Sequence, residues 1–311
     1  MEGEGIMKII DAHIHLFERI TGFGFRGGAR PVGQGFVRFD TGDVQQKFPA
    51  WLGDTGVTAE RMIEFMDEHE IEKAVVMQGP SYGLHNQYYS EVKARYPDRF
   101  YPAAMVDPEI YMFDKALRNM IDHLKFRIFK LEMSTIAGLR GAHVRLNTFE
   151  APNMERLFAE AEKIGGTIAL DIGGPDEESY QIDSVVELAK RHPGLKIVMC
   201  HLLEPNRDDD ENLKKNLEKC RLDNIWFDIS SLPAILQEDV PYEMGRRYVK
   251  LGKNIVGAER LLWGTDTPGS LVKQDYDTML KLFVLENNDF TAAEKEGIAY
   301  YNAFQAYPLQ D

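Results

Sequence analysis

Lys8-Ile9-Ile10-Asp11-Ala12-His13-Ile14-His15 is a short apolar run that ends in two histidines. It is too short for a helix and rich in isoleucine, as a buried parallel strand should be. Residues two apart on a strand point to the same side, so His13 and His15 can turn both imidazoles toward one ion. Further runs of this kind follow at 73–77, 100–106, 126–131, 167–172, 195–200, 225–229 and 260–263, ending mostly in Gly, Pro, Asp or Ser. That makes eight strands.

The segments between them have helical periodicity. Thr58 stands as an N-cap ahead of Met62, Phe65, Met66 and His69, which share one face. Met154, Leu157, Phe158, Ala161 and Ile164 repeat the stripe, with Asn153 before them and Gly165 after them as caps. Leu213, Leu217 and Cys220 form another stripe, and Thr291 and Glu294 have capping-box spacing ahead of Ile298 and Tyr301. Eight alternations of strand and helix imply right-handed βαβ units, and the expected architecture is an α/β (β/α)8 TIM barrel. Such a barrel takes about 250 residues, so 311 residues suit one domain over 1–311 with a long loop insertion after strand 1. The insertion is 16–55, rich in Gly, Phe and Arg and far longer than ordinary connections. It leaves the C-terminal end of the first strand, where barrel active sites sit, and is expected to act as a lid.

Composition narrows the function. Hydrophobic residues are 44% and charged residues 28%, ordinary globular values. Acidic residues number 50 against 36 basic ones, a net charge of −14, which disfavours nucleic acid and anionic membrane surfaces as partners. Two cysteines, Cys200 and Cys220, provide no disulfide framework. The acidic start, Met1-Glu2-Gly3-Glu4-Gly5, lacks the basic and apolar regions of a secretory signal. A cytoplasmic protein acting on a small molecule is expected, with homo-oligomerisation left open.

His201 closes the sixth strand and Asp266 follows the eighth, which neighbours the first in a closed barrel. Two imidazoles and a carboxylate leave coordination positions open, as catalytic metals require. His85, after strand two, and Arg140 and Arg145, after strand four, are candidates to overlook the pocket or pair with a substrate carboxylate, against a surface reading for each. Asp228 and Ser230 end strand seven and are candidate supports for the site. His123, His143 and His192 are expected in solvent.

Asp11-Ala12-His13-Ile14-His15, His201 and Gly264-Thr265-Asp266-Thr267-Pro268 together resemble the amidohydrolase superfamily. The closer resemblance is to its amidohydrolase-related branch, which includes aminocarboxymuconate-semialdehyde and resorcylate decarboxylases and several lactonases. Asn86-Gln87-Tyr88, Gly257-Ala258-Glu259-Arg260 and Asn302-Ala303 extend the likeness along the chain. The resemblance implies that His13, His15 and Asp266 bind a divalent metal, with Zn²⁺ first and Mn²⁺ or Fe²⁺ as alternatives. It makes His201 the general acid/base or a further ligand, with Asp266 sharing the proton transfers. Asp171 departs from the pattern, standing where a strand-five histidine is expected. It is a ligand, or it orients one, or it marks a lost site. Lys130 and Glu132, two apart on strand four, are an internal ion pair, or Lys130 binds an anion, or Glu132 joins Asp171 and His201 in a second metal site. The implied activity is metal-dependent hydrolysis of a small carboxylated or aromatic substrate. The rivals are non-oxidative decarboxylation and a barrel that binds without catalysis.

Overall fold

The strands run, in chain order, β1 (Ile9–His15), β2 (Phe23–Gly24), β3 (Gly27–Gly33), β4 (Phe36–Phe39), β5 (Val44–Gln46), β6 (Ile71–Met77), β7 (Phe100–Pro102), β8 (Ile128–Glu132), β9 (Thr167–Asp171), β10 (Lys196–Met199), β11 (Ile225–Asp228) and β12 (Leu261–Leu262). The structure is a computed structural model and describes residues 7–143, 149 and 151–309. β1, β6 and β7 pair in parallel, as do β8 to β12 in sequence order. The two sheets meet at two seams. Ala104, just after β7, bridges Phe129, with Lys130 N donating to Ala104 O at 2.8 Å. Ile14 bridges Thr267, and Ala12 N donates to Trp263 O at 2.9 Å. The ring is therefore closed, as the expected barrel requires. β12 is only two residues long because its continuation reaches β1 through single bridges instead of a ladder.

Alternation along each strand divides the core. Ile10, Val75, Ile128, Ala169, Val198, Trp226 and Leu262 form the barrel interior. Ile9, Phe129, Leu131, Ile168, Leu170 and Phe227 face the surrounding helices; each such burial contributes roughly 1.5–3 kcal/mol. The C-terminal Tyr300, Ala303, Ala306 and Tyr307 join the interior cluster. Thr167 Oγ1, at the start of β9, donates to Ala306 O at 2.7 Å. This segment plugs the N-terminal end of the barrel and leaves the other end for chemistry.

Helix signals hold with one adjustment. Thr58 Oγ1 accepts from Arg61 N ahead of helix Ala59–Glu68, and Thr291 and Glu294 make a reciprocal capping box before Ala292–Glu296. Helix Pro152–Lys163 starts from Ala151 instead of Asn153, because Pro152, lacking an N–H, suits the first helical position. His192 is buried, not solvated, between Glu162 at 2.8 Å and Glu155 at 2.9 Å.

The 16–55 insertion, expected as an irregular loop, carries a four-stranded antiparallel sheet, β2 to β5. Gly33 and Gly35, with φ of +101° and +77°, turn β3 into β4. Val37, Phe39 and Phe48 are buried beneath it, and the Phe48 ring lies 5.5 Å from that of Phe17, just past β1. The sheet is thereby packed against the chain that leaves β1.

Candidate metal centre

β1 carries one extra residue between Asp11 and Ile14 relative to its partner β6. Such a bulge reverses which residues face inward. Ile10 and Ala12 point into the barrel below it, and beyond it Ile14 packs outward while His13 and His15 line the cavity. Asp11 pins the bulge: its Oδ1 accepts from His13 N at 3.0 Å and Thr265 N at 3.1 Å, and its Oδ2 from Thr265 Oγ1 at 2.6 Å. Burial raises the Asp11 carboxyl to about 7. One side chain thus ties the histidines to the segment that bears Asp266.

The three candidate ligands converge. His15 Nδ1 lies 2.9 Å from Met77 O, an acceptor, so Nδ1 carries the proton and Nε2 faces Asp266 Oδ1 at 2.9 Å. His13 Nδ1 pairs with Asp228 Oδ2 at 3.0 Å, leaving Nε2 3.9 Å from the same Asp266 oxygen. Burial lowers the His13 pKa to about 4 despite the Asp228 charge, so its imidazole is neutral at neutral pH. Asp266 is partly exposed; desolvation works against its charge, but His15, His13 and His201 hold it well below the usual carboxylate range. A lone pair on Nε2 facing a carboxylate oxygen needs a proton or a cation between them. A divalent ion fits this donor set of neutral imidazole and carboxylate.

The opposite wall is built from β8, β9 and the turn after β10. Lys130, fully buried, lies 3.4 Å from Glu132, 3.7 Å from Asp171 and 3.2 Å from Cys200 Sγ. Burial and the neighbouring Asp171 raise Glu132 to about 8, so it holds a proton, while Lys130 and His201 overcome burial to keep Asp171 ionised. His201 Nε2 is 3.2 Å from Asp171 Oδ2, and its Nδ1 lies 2.7 Å from Ser230 Oγ. Burial opposes its charge, yet the Asp171 bond and the Asp171, Asp228 and Asp266 charges push it up to about 10. His201, Leu202, Leu203 and Glu204 all have positive φ, and Glu204 N donates back to His201 O at 3.0 Å. Four non-glycine residues in this region cost about 1–2 kcal/mol each. The turn carries Glu204 into the cavity beside His201 and Asp171.

Among the described residues, ligand atoms within 4.8 Å of one another form three groups: His13–His15–Asp266, Asp171–His201–Glu204 and His13–Cys200–Asp228. Asp171 thus stands with His201, not in the first set. The first two groups line one cavity of about 260 Å³, together with Glu132, Ser134 and Tyr82. Lys47, from the end of the insertion, lines it as well. Two candidates, for which a surface position was the other reading, lie outside this cavity. His85 is behind Tyr82, its Nε2 3.2 Å from Tyr82 O, and does not line the cavity. Arg140 pairs with Glu178 and donates to His143 O at 2.9 Å, in a separate surface hollow. Arg145 is outside the described residues. Sequence reasoning passed over Lys47, Tyr82, Ser231 and Glu204.

A closed parallel barrel carries its active site at the C-terminal strand ends, and here that end presents imidazoles and carboxylates able to hold a metal. The chain belongs to the amidohydrolase family, which it matches over residues 10–309. Its fold is similar to that of a probable 2-pyrone-4,6-dicarboxylic acid hydrolase from Acinetobacter baumannii with citric acid bound, at 18% identity over 97% of this chain and 100% of that one, with a TM-score of 0.69. An amidohydrolase from Burkholderia multivorans with bound zinc aligns at 14% identity over 97% and 100% of the two chains, TM-score 0.71. The 2,6-dihydroxybenzoate decarboxylase from Rhizobium aligns at 16% identity over 81% and 88%, TM-score 0.55. A comparison with curated proteins found no match. No helix among the described residues is long and apolar enough to cross a membrane.

Proposed function

We propose that this enzyme is a metal-dependent hydrolase of a small carboxylated or aromatic substrate, with His13, His15 and Asp266 as the metal ligands. The observation that carries this reading is the convergence of both Nε2 atoms on Asp266 Oδ1. When bound, a divalent ion, with Zn²⁺ first and Mn²⁺ or Fe²⁺ as alternatives, supplies Lewis acidity and makes hydroxide available near neutral pH. Asp266 Oδ2, held by Ser231 Oγ at 3.0 Å, takes the proton of the attacking water. His201 returns a proton from Nε2 to the leaving group, and Asp171 positions that imidazolium instead of ligating the metal. Lys130 and Glu132 serve as the internal pair that keeps Asp171 ionised.

The same proposal takes the chain as one domain over 1–311 with 16–55 as its lid. It also includes a cytoplasmic setting, which the two free, buried thiols of Cys200 and Cys220 fit, with homo-oligomerisation left open. The test is turnover of lactone, ester and amide panels by metal-loaded protein beside a His13→Ala/His15→Ala variant. Turnover that survives in the variant would sink the ligand assignment. CO₂ release from hydroxybenzoates without any hydrolysis would move the reaction to decarboxylation, in which His201 protonates carbon.

A further inference from the structure

We propose that Lys47 selects the substrate: a carboxylate remote from the reacting bond seats on its ammonium, beneath the lid. The inference rests on the reading above, that the cavity beside His13, His15 and Asp266 is the active site.

Lys47 directly follows β5, and its backbone N donates to Gly35 O at 2.8 Å, so the sheet fixes its position. The side chain passes 5.7 Å from the centre of the Phe39 ring and reaches the cavity that His13, His15 and Asp266 also line. The two cations at the strand ends, Lys130 and His201, have a counter-charge. Ionised Asp171 faces both of them, Lys130 at 3.7 Å and His201 at 3.2 Å. Lys47 makes no ion pair among the described residues; the one carboxylate that acts on it is Asp266, on another wall of the cavity.

A second cation sits beside it. Arg26 stacks on Phe25 at 5.0 Å and Phe39 at 5.3 Å, with one long hydrogen bond to Gln45 at 3.5 Å. Burial and Arg26 both disfavour the Lys47 charge. Acidic side chains outnumber basic ones by 50 to 36 in this chain, so two adjacent cations without a carboxylate are not explained by scarcity of partners. Like charges held together in a half-buried site are costly unless an anion joins them. The cavity wall also carries the polar Ser134, Glu177 and Glu204, while Tyr82, Ile136 and Ile235 offer an apolar surface suited to a flat or unsaturated skeleton. The substrate class is therefore a planar carboxylate whose reacting group lies at the far end from that carboxylate.

Metal-loaded wild-type protein, Lys47→Met and Lys47→Arg are titrated by calorimetry with isophthalate and with isophthalamide, its neutral diamide. Wild type should prefer isophthalate. Lys47→Met should lose at least tenfold in isophthalate affinity and Lys47→Arg should retain it, with isophthalamide binding alike in all three. Equal isophthalate affinity in wild type and Lys47→Met, or no wild-type preference for the anion, overturns the proposal. Metal content measured on the same samples separates the two readings. A Lys47-dependent preference without bound metal supports Lys47 and counts against the metal centre; bound metal with no such preference does the reverse.

Discussion

His15 is 2.9 Å from the Met77 carbonyl on one side of its ring and 2.9 Å from Asp266 on the other. Met77 is the last residue of the neighbouring strand, and its oxygen also accepts from Tyr89 Oη at 2.7 Å. The barrel backbone therefore chooses the His15 tautomer and aims Nε2 at the cavity. For His13 the same work falls to Asp228, itself held by His201 N at 2.9 Å and Ser230 N at 3.2 Å.

Asp228→Asn should weaken this control, since an amide has one acceptor oxygen where the carboxylate offers two. Metal affinity is expected to fall by about 10–100-fold, read by chelator competition with far-UV dichroism unchanged. Undiminished affinity would show that His13 needs no such support.

Lys130→Met tests the buried pair. Its removal leaves Asp171 beside Glu132 without their shared cation. Breaking a buried pair from one side costs roughly 3–5 kcal/mol, measurable by urea unfolding. A change within experimental error would mean that water or protonation compensates fully.

Gly35→Ala addresses the proposed lid. The new methyl would start 1.9 Å from Phe48 O at a φ of +77°, so either the turn or the Phe48 backbone must move. Amide exchange should quicken across 27–48 while the barrel strands stay protected. Uniform protection would argue that the sheet is not held by this turn.

The capping box gives a pH-dependent prediction. Hydrogen bonds from Lys253 at 2.8 Å and from the Thr291 N–H at 2.7 Å lower the Glu294 pKa. A depressed carboxylate stabilises the fold above its unfolded pKa, and that contribution is lost as the pH falls through its folded value. The stability gap between wild type and Glu294→Gln should therefore narrow on acidification. Thr291→Ala should cost about 1 kcal/mol near neutral pH.

Much of this was legible in the sequence. Eight apolar runs gave the strands because both faces of a barrel strand are buried, and the spacing of His13 and His15 survived the bulge that lies just before them. The bulge itself was not legible, since nothing in Asp11-Ala12-His13 marks an extra residue until β6 is alongside. Glu204 was hidden for a related reason: its turn is left-handed without a glycine to announce it. Lys47 lies in a segment without helical period, although Gly33-Gln34-Gly35 between alternating residues was an available hairpin signal. Arg140 was open to both a pocket and a surface reading because a loop arginine is equally able to pair with a neighbouring glutamate, here Glu178.

The central claim is that His13, His15 and Asp266 hold a metal, and elemental analysis of untagged protein tests it most directly. About one equivalent of Zn, Mn or Fe, absent from His13→Ala/His15→Ala protein that is still folded, is the expected result. Metal retained by that variant, or none bound by wild type even after reconstitution, would contradict it.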